Sequence, residues 1–178
     1  QAYRYFQNFT RDQVRDRLRV SHELEEYAKE KLIAPDVLSN NDHVVCVHTR
    51  RGDFITDNHM AHSTKRFVVP AVRMMEKRIR SNYRKKRPLF VLIGNDRDWM
   101  KDVIRELPER FKTAIATSNK SVPAGVDWDF ARQYCDSVLL TASASTFGWW
   151  LGYHSKGSDV YYNTVSSKPG GKIATFAP

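Results

Sequence analysis

The sequence predicts an α/β fold, a Rossmann-like parallel sheet with helices on both faces. Short apolar runs such as 44–47 and 89–93 alternate with amphipathic segments along the chain, and strands that are apolar on both sides belong to sheets covered by helices. The 178 residues, 41% hydrophobic and 28% charged, suffice for one buried core without disulfides. We therefore expect one α/β domain over residues 43–178, after a helical lead-in over residues 1–42.

The lead-in is a polar amphipathic segment at about residues 11–34, and Pro35 ends it. Ser21 is a candidate N-cap for its second part. The residues expected on its apolar stripe are Val20, Leu24, Tyr27 and Lys31.

The remaining elements follow from apolar runs and helical periodicity. The predicted strands lie at about 44–48, 89–93, 112–116, 137–140 and 159–162. The predicted helices lie at about 66–84, 96–107, 128–134 and 146–154. We expect a loop between the first strand and His62, and a coil in the Pro- and Gly-rich tail after Ser166.

The first strand ends in a cluster of charged residues, since the segment 48–53 reads His-Thr-Arg-Arg-Gly-Asp. Ligands of open α/β sheets bind at the carboxyl ends of the strands, and guanidinium groups match phosphate oxygens two at a time. Arg50 and Arg51 therefore predict a site for a phosphorylated ligand. The alternative is that the two arginines form a surface ion pair with Asp53.

A run of small and hydroxylated residues, 141–146, connects the fourth strand with the next helix. Free amides at a helix start, together with hydroxyls and the helix dipole, suit a phosphate. The expected ligands at this helix start are Ser145, Thr146, Phe147 and Gly148. Both motifs would lie at the carboxyl edge of one sheet. Ser and Thr also cap helices when no ligand is present, which is the alternative.

The formal net charge of +9 is concentrated in residues 65–87, which hold ten Lys or Arg and one acid. Val68, Val72, Met75 and Ile79 recur at helical spacing, so the charges are expected on a solvated outer face. The alternative is a grip on nucleic-acid phosphates or an anionic membrane. We expect no nucleic-acid partner, because aromatic residues do not interleave the charges as a stacking platform requires.

Cys46 and Cys135 are too few for a disulfide scaffold and do not have metal-ligand spacing. We expect two buried thiols, while a bridge between them stays open for a protein of a secretory compartment. No run approaches the roughly 18 apolar residues needed to span a bilayer, and no leader opens the chain. The chain as given is therefore expected to be soluble.

Two motifs in this order resemble those of a known enzyme family. Residues 48–54, His-Thr-Arg-Arg-Gly-Asp-Phe, resemble the H-x-R-R-G-D-[YF] motif of the α-1,2-fucosyltransferases of glycosyltransferase family 11. Residues 145–153, Ser-Thr-Phe-Gly-Trp-Trp-Leu-Gly-Tyr, resemble the family's T-F-G-x-W block. The resemblance covers about residues 43–178 and is similar to the nematode-type branch.

The resemblance implies the nucleotide-sugar-binding half of a GT-B-like fold. It also implies an inverting transfer of L-fucose from GDP-fucose to the 2-hydroxyl of a terminal galactose, with no metal and no cofactor besides the donor. The expected place is the Golgi lumen, with a membrane anchor that this chain lacks. Arg50 would be the catalytic residue and principal diphosphate ligand, and His48 would face the nucleotide. Arg51 and Asp53 would complete the donor site, or Arg51 would hold Asp53 or a neighbouring strand.

Two Asp-x-Asp segments, 96–98 and 127–129, are rival candidates for a metal-dependent mechanism. Hard cations bind several oxygen ligands, but acids also favour the first turn of a helix, and we expect that role here. Only 47 residues precede His48, whereas family members normally have a longer N-terminal part. The chain is therefore expected to be an enzyme, or its donor-binding half. The alternative is a truncated noncatalytic module that binds nucleotide sugars or polyanions.

Overall fold

A computed structural model describes residues 7–33, 35–57, 60–116, 123–165 and 173–176. The strands within these residues are β1 Asp42–Thr49, β2 Arg87–Gly94, β3 Lys112–Ala116, β4 Ser137–Leu140, β5 Asp159–Asn163 and β6 Ile173–Phe176. They form one sheet in the order β3-β2-β1-β4-β5-β6. β1 to β5 are parallel, and β6 is antiparallel to β5.

The α-helices within the described residues are α1 Arg11–Arg17, α2 His22–Glu30, α3 Asp53–Thr56, α4 Lys65–Asn82, α5 Arg97–Glu106, α6 Gly125–Tyr134 and α7 Thr146–His154. A short 3-10 helix, Pro35–Val37, leads into β1. The predicted strands and helices of the domain are present, with boundaries that differ by a few residues.

The sheet separates two apolar cores, because successive side chains of a strand point to opposite faces. In β1, Val44 and Cys46 pack in a core with α2, α6 and α7. Val45 and Val47 pack in the other core with α4 and α5. Burying one such side chain contributes about 1.5–3 kcal/mol. The predicted parallel sheet with helices on both faces is confirmed.

Helix α4 presents the apolar stripe expected from its periodicity. Val68, Val72, Met75 and Ile79 are all buried against the sheet. Pro70 is the sixth residue of the helix, so it removes the backbone donor that would otherwise bond to the Arg66 carbonyl.

The lead-in forms two helices that pack on the same domain. Leu24 and Tyr27 contact the core, as expected, and Ala28 is fully buried. Lys31 was expected on this stripe, which is wrong: its side chain is 64% exposed, because it follows the end of α2. Ser21 occupies the N-cap position, but its side chain makes no capping hydrogen bond.

Two segments expected to lack regular structure form elements. The short helix α3 lies inside the predicted loop, where Gly52 adopts a positive φ of 41° and Phe54 is buried. The tail after Ser166 includes β6, in which Phe176 pairs with Val160 and Ile173 with Asn163. Strand β5 would otherwise be an edge with unpaired backbone groups, which explains why this segment adds to it.

The expectation of two buried thiols is wrong, because Cys46 and Cys135 form a disulfide. Their Cα atoms lie 5.6 Å apart across a sequence separation of 89 residues. The bond joins β1 to the end of α6. The sequence could not show this contact, since it depends on how α6 packs against the sheet.

Candidate functional site

The two sequence motifs meet where the order of the strands reverses. β1 and β4 are neighbours, with His48 paired to Leu140, while β2 and β3 lie on one side of them and β5 on the other. Ligands of open α/β sheets bind at the carboxyl ends of the strands at this switch point. The chain leaves β1 into Arg50 and leaves β4 into Thr141, so both motifs lie at this switch point, and we call the space outside these two strand ends the crevice.

A pair of buried hydroxyl groups ties the two motifs together. The backbone N–H of Arg50 donates to Ser63 Oγ at 2.8 Å, and Thr141 Oγ1 donates to the His48 carbonyl at 2.7 Å. The two hydroxyl oxygens are 2.6 Å apart. Since the single proton of Thr141 is used for the carbonyl, Ser63 is the donor between them. Ser63 was not predicted as a site residue, because no sequence spacing relates it to either motif.

Arg50 keeps donor groups available at the crevice. Its guanidinium donates to Asp53 Oδ2 at 2.9 Å and lies 5.5 Å from the centre of the Phe54 ring. Its Nε is buried and has no hydrogen-bond partner among the described residues. A guanidinium has five N–H donors in one plane, so Arg50 can bind an anion with the donors that Asp53 does not use.

The ion pair between Arg50 and Asp53 is weak enough to exchange partners. The hydrogen bond from Arg50 lowers the pKa of Asp53, but the Asp53 side chain is 62% exposed. Exposed pairs contribute little, because water screens them. The ion pair that was the alternative therefore exists, formed by Arg50, and it leaves Arg50 able to bind another anion.

Arg51 is held by the protein and does not point freely into the crevice. Its Nε donates to Asp96 at 3.1 Å, its Nη1 donates to the Ser63 carbonyl at 2.9 Å, and its guanidinium lies 4.7 Å from the Trp99 ring centre. Its backbone N–H donates to Asn95 at 3.0 Å. Arg51 thus clamps the turn after β1 to the start of α5, which is the structural role left open by the sequence.

The Asp-x-Asp segments are engaged in helix and ion-pair contacts. Asp96 is the N-cap of α5 and accepts from the Trp99 amide at 3.1 Å. Asp98 accepts from Lys101 at 2.8 Å, and Asp129 accepts from Arg132 at 2.8 Å. Across the described ranges, no group of three or more His, Cys, Asp or Glu side chains is arranged to hold a metal ion.

His48 lies beneath the crevice and not on its surface. It is fully buried, and its Nε2 is 3.4 Å from Ser145 Oγ. Burial, with a smaller contribution from the Arg50 charge, lowers the pKa of His48 to about 3, so the ring is neutral. The expectation that His48 faces the nucleotide is corrected: it shares the face of Val44 and Cys46 and supports the start of α7 from below.

The first turn of α7 fits tightly over the His48 ring. Ser145 is the N-cap and accepts from the Gly148 amide at 3.3 Å. A Cβ at Gly148 would lie only 2.7 Å from His48 Cε1 and Nδ1. The Phe147 carbonyl accepts from the Trp128 indole at 3.2 Å. These contacts fix the helix start, where the amides of Thr146 and Phe147 have no acceptor within the helix.

The C-terminal end of α7 is held by Arg11, a residue that sequence analysis did not single out. Its guanidinium donates to the carbonyl oxygens of Tyr153 at 2.8 Å, Ser155 at 2.7 Å and Gly157 at 3.0 Å. A cation at this end satisfies unpaired carbonyls and complements the helix dipole. The lead-in therefore stabilises the helix whose opposite end forms the candidate site.

The sequence matches a known protein family over most of its length. The family model described as Glycosyl transferase family 11 matches residues 2–169. A galactoside 2-alpha-L-fucosyltransferase of Caenorhabditis elegans is 31% identical over 166 residues, covering 90% of this chain and 44% of that protein. A second protein of the same name and organism is 29% identical over 191 aligned positions, covering 96% of this chain and 46% of that protein.

Among solved structures, the fucosyltransferase NodZ from Bradyrhizobium has a TM-score of 0.49 at 12% identity, covering 88% of this chain and 48% of that chain. The chain spans less than half the length of the two Caenorhabditis elegans relatives. Within the part that the structure describes, no helix is both long and apolar enough to cross a bilayer.

The family match extends over nearly the whole sequence and includes the helical lead-in. The motifs at 48–54 and 145–153 lie within it and meet at one edge of the sheet. This chain belongs to glycosyl transferase family 11.

Proposed function

We propose that this chain is the donor-binding part of a galactoside 2-alpha-L-fucosyltransferase. The reaction would transfer L-fucose from GDP-fucose to the 2-hydroxyl of a terminal galactose, with inversion at the fucose C1. The observation that carries the proposal is that the backbone at Arg50 is joined, through Ser63 and Thr141, to the strand end that leads into α7 at the switch point. The names of the two relatives support the choice of sugar and linkage.

The arrangement suits a reaction in which GDP leaves. As the galactose hydroxyl attacks C1, the bond to the diphosphate oxygen breaks and negative charge grows on the leaving group. Arg50 and the first-turn amides of Thr146 and Phe147 would bind that charge. A hydrogen bond to a charged group contributes about 1.5–3 kcal/mol, and one preorganised donor lowers a barrier by about 2.7–4 kcal/mol. The two sources together would supply several powers of ten in rate.

The other residues of the site would act by positioning. Ser145, His48 and Gly148 set the location of the helix start, while Arg51 and Asp53 shape the turn that carries Arg50. We propose a metal-independent mechanism, supported by the use of Asp96 as a helix cap and as the partner of Arg51. Transfer is expected to be the same in EDTA, and a requirement for added Mn²⁺ would contradict this part of the proposal.

We also propose that the protein works in the Golgi lumen. The Cys46–Cys135 disulfide supports a secretory compartment, because such bonds are rare in the reducing cytosol. The partners would be GDP-fucose and a galactose-terminated glycan.

A second candidate function is donor binding without transfer, because the donors of Arg50 that Asp53 does not use could bind a diphosphate without completing the reaction. The two are separated by measuring label transfer from GDP-fucose to a terminal galactoside, together with the thermal shift caused by GDP. Transfer by wild type, lost in Arg50→Ala but kept in the control Arg73→Ala, would support the enzyme. A thermal shift without transfer would identify the binding module. The absence of both the thermal shift and the transfer would contradict both functions.

A further inference from the structure

A cavity of about 260 Å³ lies at the opposite end of the strands from the candidate GDP site, where β1, β2 and β3 begin. Its lining includes four cationic side chains, Arg80, Arg87, Arg110 and Lys112, and one carboxylate, Asp42. Strand register explains why they converge, since Asp42 pairs with Arg87, and Lys112 pairs with Leu89 on the same strand as Arg87. The cavity is separate from the candidate GDP site.

The single carboxylate of the cavity is already neutralised. Asp42 is buried, and its Oδ2 accepts from Lys112 Nζ at 2.6 Å and from the Ser39 amide at 3.1 Å. Arg80 donates to Glu76. The local acids are therefore matched by Lys112 and Arg80, and the two remaining arginines leave the cavity with a positive charge.

Arg87 and Arg110 are the unmatched groups. In the ranges that the structure describes, neither guanidinium has a hydrogen-bonded carboxylate or carbonyl partner, and the Arg110 guanidinium lies 5.2 Å from the centre of the Phe111 ring. Neither residue lies in the last turn of a helix, so a helix dipole does not account for its position. Like charges that share one cavity repel, and an anion between them would relieve that repulsion.

We propose that this cavity binds one tetrahedral oxyanion, carried as a sulfate or phosphate ester on a small molecule or saccharide. Guanidinium groups match the oxygens of such a group two at a time. The cavity is slightly smaller than the roughly 300 Å³ at which pockets for larger ligands begin, so it suits an ester group with the few atoms that bear it. This assigns a specific role to part of the basic segment 65–87, beyond a solvated helix face.

The test is calorimetric titration of the whole chain with inorganic sulfate, glucose 6-sulfate and glucose 6-phosphate. Arg87→Gln/Arg110→Gln is the cavity variant. Arg84→Gln/Lys85→Gln removes the same charge from the neighbouring turn and is the matched control. Arg50→Ala excludes binding at the GDP site. We expect the cavity variant to lose about tenfold or more in affinity for the esters, while the control and Arg50→Ala bind as wild type does.

Stronger binding of the sugar esters than of inorganic sulfate would support an ester ligand. Equal binding would overturn that part of the proposal, because the free anion alone would then account for the site. Loss of ester binding in the control to the same extent as in the cavity variant would overturn the proposal, because net charge alone would then explain it. Loss of ester binding in Arg50→Ala but not in the cavity variant would overturn the proposal as well. So would a wild-type protein that binds none of the three compounds. Unchanged thermal melting and GDP binding of the cavity variant show that its fold is intact.

Discussion

The hydroxyl oxygens of Ser63 and Thr141 lie 2.6 Å apart in the interior, 78 residues apart in sequence. Through this contact the backbone at Arg50 is joined to the strand end that leads into α7. The motifs at 48–54 and 145–153 are distant in the chain, but this contact fixes the distance between the strand ends that carry them. The proposed binding of one diphosphate by both motifs requires such a fixed distance.

Ser63→Ala is expected to destabilise the protein and to weaken GDP binding, although Ser63 need not touch the nucleotide. The change removes the acceptor of the Arg50 amide and the donor to Thr141 in a fully buried place. Such a loss costs about 1–3 kcal/mol. Urea denaturation measures the stability, and calorimetric titration measures GDP affinity.

Ser137→Ala is the matched control for Ser63→Ala. Ser137 is equally buried and bonds to His43 at 2.8 Å, but it lies at the other end of β4. It should lose stability without losing GDP affinity. Equal loss of GDP affinity in both variants would show that Ser63 has no special link to the site.

Gly148→Ala is expected to lower stability and GDP affinity, because the new Cβ would lie 2.7 Å from the buried His48 ring. Overpacking of this kind costs about 1–3 kcal/mol, against a gain of about 1 kcal/mol from the better helix former. In Gly152→Ala the nearest atom is a methyl of Val160 at 3.1 Å, so the loss should be smaller. A lower melting temperature for Gly152→Ala than for Gly148→Ala would contradict the close packing of Gly148 on the His48 ring.

The stability of the protein is expected to fall below about pH 6.5 because of two buried histidines. Burial lowers the pKa of His48 to about 3 and that of His154 to about 4, whereas a histidine in the unfolded chain titrates near pH 6.5. Between these values the unfolded state binds the proton and the folded state does not. Each histidine therefore removes up to about 1.4 kcal/mol per pH unit as the pH falls.

Urea denaturation at pH 7, 6 and 5 measures this slope. His154→Phe keeps an aromatic ring against Trp128, whose ring centre lies 6.1 Å from that of His154. This variant should show a shallower slope than wild type. A flat profile from pH 7 to 5 in wild type would be inconsistent with two neutral buried histidines.

Reduction of the Cys46–Cys135 bond is expected to cost about 4.6 kcal/mol of stability, as for a disulfide that closes a loop of this length. Denaturation with and without dithiothreitol measures the effect. Cys46→Ala/Cys135→Ala should respond equally in both conditions. A wild-type protein that is indifferent to dithiothreitol would show that the bond is not formed.

The fold was largely predictable because it follows from local patterns. β1 and β2 are apolar on both faces, and Val68, Val72, Met75 and Ile79 mark the buried side of α4. The prediction of β6 failed, because its pairing with β5 depends on an edge that exists only after the sheet has formed.

The candidate site was predictable as a location but not in the roles of its residues. Arg50 and Arg51 are adjacent, and their separation into an available and a clamped guanidinium depends on Asp96 and Trp99, more than 40 residues later. Side chains of β1 alternate between the two faces of the sheet, so His48 lies on the same face as Val44, which α7 covers. The burial of His48 was therefore predictable from the sequence.

The most direct test of the account is the dissociation constant for GDP in Arg50→Ala, Thr146→Pro and their combination. Thr146 is the first residue of α7 and follows an extended Ser145, so proline fits there while deleting one outward amide. Thr146→Ala keeps that amide and is the control. We predict that Arg50→Ala and Thr146→Pro each weaken GDP binding by about tenfold or more, with Thr146→Ala close to wild type. Unchanged GDP affinity in Arg50→Ala and in Thr146→Pro would contradict a diphosphate site shared by Arg50 and α7.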